Sequence, residues 1–406
     1  MNHKILVVED SRAFRNYLFN QLSQIGYEVI CAESLAEAKH IISQGHTFFC
    51  AVLDYCLPDA QDGEVIDLVL ATKQKVVVLT ATFNEKVRER CIARGVLDYI
   101  LKDSMSSVSY IIPMMKRLFN NQNHHALVVD DPKPVRRHVS QLLEHQYIRT
   151  TTAIDGNDAL KKLQENKDIS IIITDHDMPH KDGIEMIREI RQSVSKNELA
   201  ILGVSSSEDK TMTARFLKAG ANDFLNKPFN QEEFYCRVHQ LLDMKEANNE
   251  LFRLANQDAL TGLWNRRYFF NQRKEQPKVD CHVAMMDIDH FKKVNDTWGH
   301  DGGDKVLTSV AHILNLYFAE SVVARFGGEE FCIQYCGDFK EFTQRLDNVR
   351  QRIENTTITY QDNPIRVTIS IGVAQGDDSD INQLLTLADS RLYLAKNRGR
   401  NLLVSN

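Results

Sequence analysis

Residues 4–10 read Lys-Ile-Leu-Val-Val-Glu-Asp, and residues 125–131 repeat this stretch as His-Ala-Leu-Val-Val-Asp-Asp. A second segment recurs as well, because Ala-Val-Leu-Asp-Tyr-Cys-Leu-Pro at 51–58 returns as Ile-Ile-Ile-Thr-Asp-His-Asp-Met-Pro at 171–179. The matching segments keep their order and nearly keep their spacing. The sequence therefore contains two copies of one domain, followed by an unrelated segment.

Each copy alternates short apolar runs with amphipathic stretches. In the first copy, residues 4–8 and 76–81 are rich in β-branched and apolar residues, whereas residues 12–25 and 34–44 space their apolar residues by three and four. Strands that are apolar on both faces and are separated by helices predict a parallel sheet covered on both sides. We therefore expect a doubly wound α/β fold, in which functional groups collect at the carboxyl ends of the strands.

The predicted strand ends of the first copy carry acids, a hydroxyl group and a lysine. Glu9 and Asp10 follow the first strand, and Asp54 follows the third. Thr80 follows the fourth strand, and Lys102 follows the fifth. Converging carboxylates repel one another unless a hard divalent cation such as Mg²⁺ neutralises them. One carboxylate could then accept a phosphoryl group, whose oxygens the lysine and the hydroxyl would bind.

In these residues and their order, both copies resemble the receiver domains of response regulators, which have a flavodoxin-like fold. The resemblance implies that Asp54 and Asp175 are phosphorylated. The acids that would bind Mg²⁺ are Glu9, Asp10 and Asp54 in the first copy and Asp130, Asp131 and Asp175 in the second. The switch residues would be Thr80, Tyr99 and Lys102 in the first copy and Ser205, Phe224 and Lys227 in the second.

The first copy departs from the receiver pattern at two places. It has one extra residue between Asp54 and Gly63, and Asp103 stands where a proline follows Lys227 in the second copy. One copy could therefore be a degenerate adaptor that serves only dimer packing. The complete set of acids, hydroxyl and lysine in both copies favours phosphorylation of both.

The third segment carries a different pattern of acids. Residues 283–289, Val-Ala-Met-Met-Asp-Ile-Asp, predict a buried strand that ends in two acids. Two further predicted strands, 322–326 and 331–335, are joined by Gly-Gly-Glu-Glu, which indicates a tight hairpin. Acids from adjacent strands, Asp287 and Glu329, could bind one or two Mg²⁺ ions that bridge a triphosphate.

The same segment offers cations for phosphate groups and polar groups for a base. Lys292, Lys396 and Arg400 supply positive charge, and the last two lie on one face of a predicted helix end. Asn295 and Asp304 carry an amide and a carboxylate. A carboxylate that accepts from N1–H and N2–H₂ favours guanine over adenine.

From Asp258-Ala-Leu-Thr through Gly-Gly-Glu-Glu-Phe at 327–331, the third segment resembles the GGDEF family of diguanylate cyclases. The resemblance implies an α+β domain with a ferredoxin-like palm, in which two GTP-loaded domains face each other. The 3′-hydroxyl of each GTP would attack the α-phosphate of the other. The products would be cyclic di-GMP and two pyrophosphates.

The same resemblance assigns roles to individual residues. The metal ligands would be Asp287, the carbonyl oxygen of Ile288, and Glu329, which would also deprotonate the attacking hydroxyl. The other catalytic residues would be Lys292 and Glu330, and the substrate-binding residues would be Asn295, His300, Asp304, Arg325, Lys396 and Arg400. Asp289 is expected to be a structural hydrogen-bond acceptor. Positions 318–321 read Phe-Ala-Glu-Ser and lack the Arg-x-x-Asp of many members, so feedback inhibition through that site should be absent or weak.

The 406 residues are expected to form three domains joined by a helix. The predicted bounds are receivers at 1–121 and 124–243, a helical linker at 244–257 and a cyclase domain at 258–406. Residues 231–257 contain no Gly or Pro, which predicts a continuous helix. A solvated linker is favoured, and a short coiled coil between two chains remains the alternative.

Composition restricts the remaining classes of protein. A content of 43% hydrophobic and 26% charged residues is typical of a globular protein. The net charge of −6 argues against nonspecific binding to nucleic acid, and no apolar run approaches the ~20 residues that span a bilayer. Eight scattered cysteines without a Cys-x-x-Cys pair predict reduced thiols rather than disulfides or zinc ligands. We expect a cytoplasmic protein that does not insert into membranes.

The sequence therefore predicts a cyclase that is activated by receiver phosphorylation and dimerisation. The expected partners are GTP, a histidine kinase or phosphotransfer protein as phosphoryl donor, and a second copy of the chain. Two alternatives remain: an inactive GGDEF domain that binds a nucleotide or a partner, and a scaffold whose receivers serve a phosphorelay.

Overall fold

The computed structural model describes residues 3–81, 84–104, 108–206, 211–271, 281–376 and 381–406. The chain divides into two compact units, Met1–Glu246 and Ala247–Asn406. The first unit contains both copies of the repeat. Within the described ranges, no helix has both the length and the apolar character needed to span a membrane.

The first unit is built on two five-stranded parallel sheets with the same strand order: second, first, third, fourth, fifth. The elements of the first copy are β1 (Lys4–Val8), α1 (Arg12–Gln24), β2 (Glu28–Ala32), α2 (Leu35–Ser43), β3 (Cys50–Asp54), α3 (Glu64–Leu70), β4 (Val76–Thr80), α4 (Glu85–Ala93), β5 (Asp98–Leu101) and α5 (Ile111–Asn121). Those of the second are β6 (His125–Val129), α6 (Lys133–His145), β7 (Arg149–Ala153), α7 (Gly156–Glu165), β8 (Ile171–Asp175), α8 (Gly183–Ile190), β9 (Ala200–Ser205), α9 (Met212–Ala219), β10 (Asp223–Asn226) and α10 (Gln231–Asn256). The predicted doubly wound fold is confirmed in both copies.

The central strands of these sheets are buried because helices cover both faces. In β1, Leu6 and Val8 belong to one core, whereas Ile5 and Val7 belong to the core on the opposite face. Side chains of successive strand residues point to opposite faces, so both sets must be apolar. This packing leaves the strand ends as the places where polar groups can converge.

Helix α10, the last helix of the second copy, contacts the first copy through charged side chains. Arg117 on α5 is buried and pairs with Asp243 at 2.6 Å and with Glu246 at 2.5 Å. Arg88 on α4 pairs with Glu232. Helix α10 is continuous from Gln231 to Asn256. The same helix therefore contacts α4 and α5 of the first copy and continues beyond the second receiver.

The elements of the second unit are β11 (Trp264–Asn265), α11 (Arg266–Asn271), β12 (Cys281–Ile288), α12 (Phe291–Tyr317), β13 (Val322–Gly327), β14 (Glu330–Cys336), α13 (Phe339–Glu354), β15 (Ile358–Tyr360), β16 (Asn363–Ile365), β17 (Ile369–Ala374), α14 (Ile381–Asn397) and β18 (Leu403–Val404). Six of the strands form a sheet in the order β11-β13-β14-β12-β17-β18. Strand β12 lies between β14 and β17, antiparallel to both, and its alternate residues face two cores. Helices α12 and α13 close one core and α14 closes the other. The predicted ferredoxin-like palm is confirmed.

The expectation that all cysteines are reduced thiols was wrong for one pair. Cys281 and Cys336 form a disulfide, with their Cα atoms 4.5 Å apart. They begin β12 and end β14, and the antiparallel register places them directly opposite each other. The sequence pattern did not show the pair because the two residues are 55 positions apart. The other six cysteines are free.

Gly372 in β17 packs directly on the backbone of α14. A Cβ atom at this position would overlap with the Ala388 carbonyl oxygen and the Leu392 amide nitrogen. We expect Gly372→Ala to lower the free energy of unfolding of the second unit by about 1–3 kcal/mol, because a helix backbone cannot rotate away as a side chain can. Urea denaturation followed by tryptophan fluorescence measures this change, since both tryptophans, Trp264 and Trp298, lie in this unit.

Gly376→Ala is the matched control. Its new methyl group would meet only the flexible side chain of Leu384. An equal loss in the two variants, or no loss in Gly372→Ala, would contradict the backbone contact as the cause.

Candidate active site

The three acids predicted for the cyclase site, Asp287, Glu329 and Glu330, lie near the end of β12. Asp287 lies opposite Glu330 across the β12–β14 ladder, and the Ile288 amide donates to the Glu329 carbonyl oxygen at 3.3 Å. The hairpin between β13 and β14 turns at Gly328, whose φ of 52° is a conformation that glycine adopts most easily. The predicted hairpin therefore places its two glutamates beside the strand that ends in Asp287.

Lys396 is the cation that neutralises Asp287 in this structure. Its Nζ atom lies 2.7 Å from Asp287 Oδ2, and Asp287 is only 6% exposed. Burial raises the pKa of Asp287; Lys396 lowers it, and Glu329 and Glu330 raise it further. A buried carboxylate beside other acids binds a cation strongly, because an unpaired charge there is poorly solvated. Sequence reasoning found both residues but not their contact.

The donor groups at this place have the chemistry of a divalent metal site. Carboxylates and a backbone carbonyl are the hard oxygen ligands that Mg²⁺ prefers. Among the residues that the structure describes, one group of three acids has ligand atoms within 4.8 Å of one another, namely Glu9, Asp10 and Asp54. Asp287, Glu329 and Glu330 do not all lie within this distance of one another.

Arg325 connects the hairpin to Asp258 through hydrogen bonds. Its guanidinium donates to the Gly328 carbonyl oxygen at 2.8 and 3.0 Å and to Asp258 Oδ1 at 2.9 Å. Asp258 also accepts from the Thr261 amide and hydroxyl at 2.9 and 2.6 Å. Burial opposes ionisation of Asp258, but the hydrogen bonds from Thr261 and Arg325 outweigh it and lower the pKa. Sequence reasoning missed the positioning role of Asp258 and Thr261.

The residues predicted to bind guanine lie on α12 around a bend. The bend is at Gly299, whose φ of 70° and ψ of 177° are not helical. Asn295 precedes it, and the exposed His300 and Asp304 follow it. A Cβ atom at Gly303 would overlap with Asn295 Oδ1, so this glycine makes room for the predicted base-reading amide. The role of Gly303 was also missed from the sequence.

The remaining predicted cations are exposed. Lys292 lies in the first turn of α12, and Arg400 follows the end of α14. Within the described part of the chain, no ion pair joins either side chain to an acid, whereas Lys396 is paired with Asp287. Both exposed cations therefore remain available to an anionic ligand.

Asp289 is confirmed as a structural acceptor. Its carboxylate accepts from the hydroxyls of Thr368 and Ser370, each at 2.7 Å, and from the Asn401 amide at 2.9 Å. These bonds join the end of β12 to β17 and to the segment before β18. They also fix the chain next to Arg400.

In the first receiver copy, Lys102 binds two acids at once. Its Nζ atom lies 3.0 Å from Glu9 Oε2 and 2.6 Å from Asp54 Oδ2. Burial raises the pKa of Glu9 to about 7 and also raises that of Asp54. With Asp10, these carboxylates converge closely enough to bind one divalent cation.

In the second copy, Lys227 likewise bridges two acids, although its three acids do not converge as closely as those of the first copy. Lys227 Nζ lies 2.7 Å from Asp130 Oδ2 and 2.9 Å from Asp175 Oδ1, while Asp131 is exposed. Arg136 donates to the backbone carbonyl oxygens of Asp130 and Asp131. Arg15, at the matching position of the first copy, donates to those of Glu9 and Asp10. These arginines orient the acidic turn, and sequence reasoning missed them.

The predicted switch side chains are buried near these acids. Thr80, Ser205, Tyr99 and Phe224 are each less than a tenth exposed. The Tyr99 hydroxyl hydrogen-bonds with Thr80. The Phe224 ring packs against Phe216 of α9, with ring centres 5.1 Å apart. Their role in switching remains a prediction.

Comparison with known proteins bears on both units. The chain matches the response regulator receiver domain family over residues 5–108 and 126–239, and the GGDEF diguanylate cyclase domain family over residues 255–402. It is 29% identical over 299 residues to the response regulator PleD of Caulobacter vibrioides, covering 68% of this chain and 65% of that protein. The chain thus spans slightly less than two thirds of the length of PleD.

Two further proteins match more than half of the chain. A diguanylate cyclase of Vibrio cholerae is 29% identical over 254 residues, which cover 60% of this chain and 78% of the relative. The crystal structure of a two-component response regulator/GGDEF domain protein is 39% identical, with a TM-score of 0.56, over 60% of this chain and 100% of that one. The chain therefore belongs to the response regulators, and joins two receiver domains to a GGDEF diguanylate cyclase domain.

Proposed function

We propose that this chain condenses two GTP molecules into cyclic di-GMP and two pyrophosphates, under the control of its receivers. The observation that carries the proposal is the meeting of buried Asp287, the hairpin glutamates and Lys396 at the end of β12. The similarity to cyclases over the second unit supports the same reaction.

In the proposed complex, α12 binds the base and three cations bind the phosphates. Asn295 and Asp304 read the guanine edge, and His300 lies close to the nucleotide. Lys292 and Arg400 are exposed cations that can contact triphosphate oxygens. When the triphosphate binds, the ammonium group of Lys396 leaves Asp287 and forms ion pairs with phosphate oxygens.

The chemical step forms one phosphorus–oxygen bond and breaks another. Glu329 takes the proton of the 3′-hydroxyl, whose oxygen attacks the α-phosphorus of the other GTP as pyrophosphate leaves. Lys292 stabilises the charge that develops, and Glu330 supports the hairpin. A divalent cation, which we propose to be Mg²⁺, would be held by Asp287, the Ile288 carbonyl oxygen and Glu329, and would neutralise the phosphate oxygens.

The reaction needs two chains, because each supplies one set of nucleotide-binding groups. Helix α10 offers a surface for pairing with a second copy. Met244, Leu251 and Leu254 are 50%, 63% and 64% exposed, and they follow the seven- and three-residue spacing of a coiled-coil seam. Pairing along this seam would bring two copies of the chain together.

We also propose that the receivers control this pairing. A histidine kinase or phosphotransfer protein would phosphorylate Asp54 and Asp175, with Mg²⁺ bound at each site. The phosphoryl group would draw Lys102 or Lys227 away from the neighbouring acid. Since α4 and α5 of the first copy contact α10, a shift in these helices would act on the same helix that carries the proposed seam.

Glu329→Ala tests the cyclase proposal. We expect it to lower the rate of cyclic di-GMP formation from GTP and Mg²⁺ by about 100-fold or more, because the attacking hydroxyl loses its base. Glu341→Ala, which removes an exposed acid at the start of α13, is the control and should stay near the wild-type rate. If the wild type forms no product under any condition, the inactive nucleotide-binding alternative replaces the cyclase.

Asp54→Asn and Asp175→Asn test control by the receivers. Acetyl phosphate should stimulate the wild type, and we expect the double variant to lose this stimulation while it keeps its basal rate. Asp62→Asn removes an exposed acid near the first site and should respond as the wild type does. Stimulation of the double variant to the wild-type level would contradict phosphorylation at these residues.

Gly303→Ala tests the reading of guanine by Asn295. The added methyl group would displace the Asn295 amide, so we expect the KM for GTP to rise about tenfold with a smaller change in kcat. Asn295→Ala should have a similar effect. In the double variant the two effects should not add, because they remove one interaction. Fully additive effects would mean that Gly303 acts through another contact.

A further inference from the structure

The two strands that carry the cyclase acids at one end carry a cysteine pair at the other. The β12–β14 ladder runs from Cys281 opposite Cys336 to Asp287 opposite Glu330. The Cα atoms of the two cysteines are 4.5 Å apart, within the range that a disulfide requires. We propose that Cys281 and Cys336 are a reversible redox-modification site whose oxidation state sets the thermal stability of the cyclase domain.

The bond closes a loop that contains most of the proposed active site. The two cysteines are 55 residues apart, and the residues between them include Asp287, Asn295 and Glu329. A crosslink across a long loop removes many conformations from the unfolded chain. The bond therefore stabilises the part of the domain in which the strands, the hairpin and α12 must hold their positions.

We expect the domain to remain folded when the bond is reduced, because other contacts hold the same two strands together. The ladder keeps its other pairs, from His282 opposite Tyr335 to Asp287 opposite Glu330. The His282 ring also hydrogen-bonds with the Gly337 carbonyl oxygen at 2.9 Å, which holds the turn after β14. The two thiols consequently stay opposite each other, and the bond can form again.

The pair is open to attack from one side. Cys281 is 2% exposed, whereas Cys336 lies at the exposed end of β14. A small thiol such as glutathione, as thiolate, can attack the sulfur of Cys336, and the sulfur of Cys281 leaves and takes up a proton. A second glutathione thiolate then attacks the mixed disulfide and releases Cys336. Overall, the protein disulfide gains two electrons and two protons, and two glutathione molecules become glutathione disulfide; oxidation is the reverse.

The third cysteine of this unit, Cys332, does not take part in thiol–disulfide exchange. Cys332 lies on β14, four residues before Cys336, and is fully buried. Burial raises the pKa of its thiol well above the ordinary value, so the reactive thiolate is scarce. Cys332 therefore serves as an internal control for reactions that depend on access.

The test uses the full-length protein equilibrated in glutathione buffers from reducing to oxidising. Alkylation followed by peptide mass spectrometry reports each thiol, and tryptophan fluorescence reports the melting of the second unit. We expect Cys281 and Cys336 to lose reactivity together, in one two-electron step, and to yield one linked peptide. The oxidised protein should melt about 5–15 °C higher than the reduced protein.

Three variants sharpen the result. Cys281→Ser and Cys336→Ser should each melt as the reduced wild type does and should not respond to the buffer. Cys332→Ser should keep the full shift. The proposal is overturned if the oxidised wild type yields no peptide linking Cys281 to Cys336, or if both forms of the wild type melt at the same temperature. Because no GTP is turned over, the result does not depend on the cyclase proposal.

Discussion

A buried carboxylate at the end of a strand needs a cation or several hydrogen-bond donors beside it, and at three places in the described part of this chain a lysine supplies the cation. The pairs are Lys102 with Asp54, Lys227 with Asp175, and Lys396 with Asp287. Breaking such a pair by removing one partner costs about 3–5 kcal/mol where both are buried. The fold can gather acids at these strand ends because the lysines neutralise them.

The same ion pairs suggest how phosphorylation or nucleotide binding would change the contacts of these lysines. A phosphoryl group on Asp54 or Asp175, or a triphosphate beside Asp287, brings new negative charge to a lysine that is already in place. The lysine then changes partner, and the carboxylate that it leaves becomes free to bind a divalent cation. In the receivers this exchange would be the switch, and in the cyclase domain it would accompany loading of the substrate.

The sequence was most informative where a local pattern determines the structure. Apolar runs on both strand faces predicted the parallel sheets, and the acids at their ends predicted the convergence that the structure contains at Glu9, Asp10 and Asp54. The Gly-Gly-Glu-Glu stretch predicted a hairpin because glycine accepts the backbone angles of a tight turn. Each of these features depends on residues that lie close together in sequence or on the ends of regular strands.

Contacts between distant residues could not be predicted in the same way. The bond of Arg325 to Asp258, the room that Gly303 leaves for Asn295, and the Cys281–Cys336 disulfide all depend on how separate elements pack. No periodicity or spacing encodes them. The sequence also predicted Lys396 as a phosphate ligand, but it did not indicate that Lys396 pairs with Asp287 when no ligand is bound.

Helix α10 runs without a break from Gln231 to Asn256, so it connects the second receiver to the second unit along the chain. It contacts the first receiver through Arg88 and Arg117, and farther along it exposes Leu251 and Leu254. Under the proposed function, a change in the receivers would alter the pairing of two chains without any change inside the cyclase domain. The reaction itself would still depend on the charge exchange at Lys396.

That exchange is tested most directly by comparing the affinities of two ligands for the wild type and for Lys396→Met. The ligands are guanosine and a non-reactive GTP analogue with a methylene group between the α- and β-phosphates, and calorimetry measures both. We expect the affinity for the analogue to fall about tenfold or more, and that for guanosine to stay within about twofold, because in the proposed complex Lys396 contacts the phosphates and not the nucleoside. An unchanged affinity for the analogue, or an equal loss for both ligands, would contradict the claim that the end of β12 is a GTP site in which Lys396 changes partner.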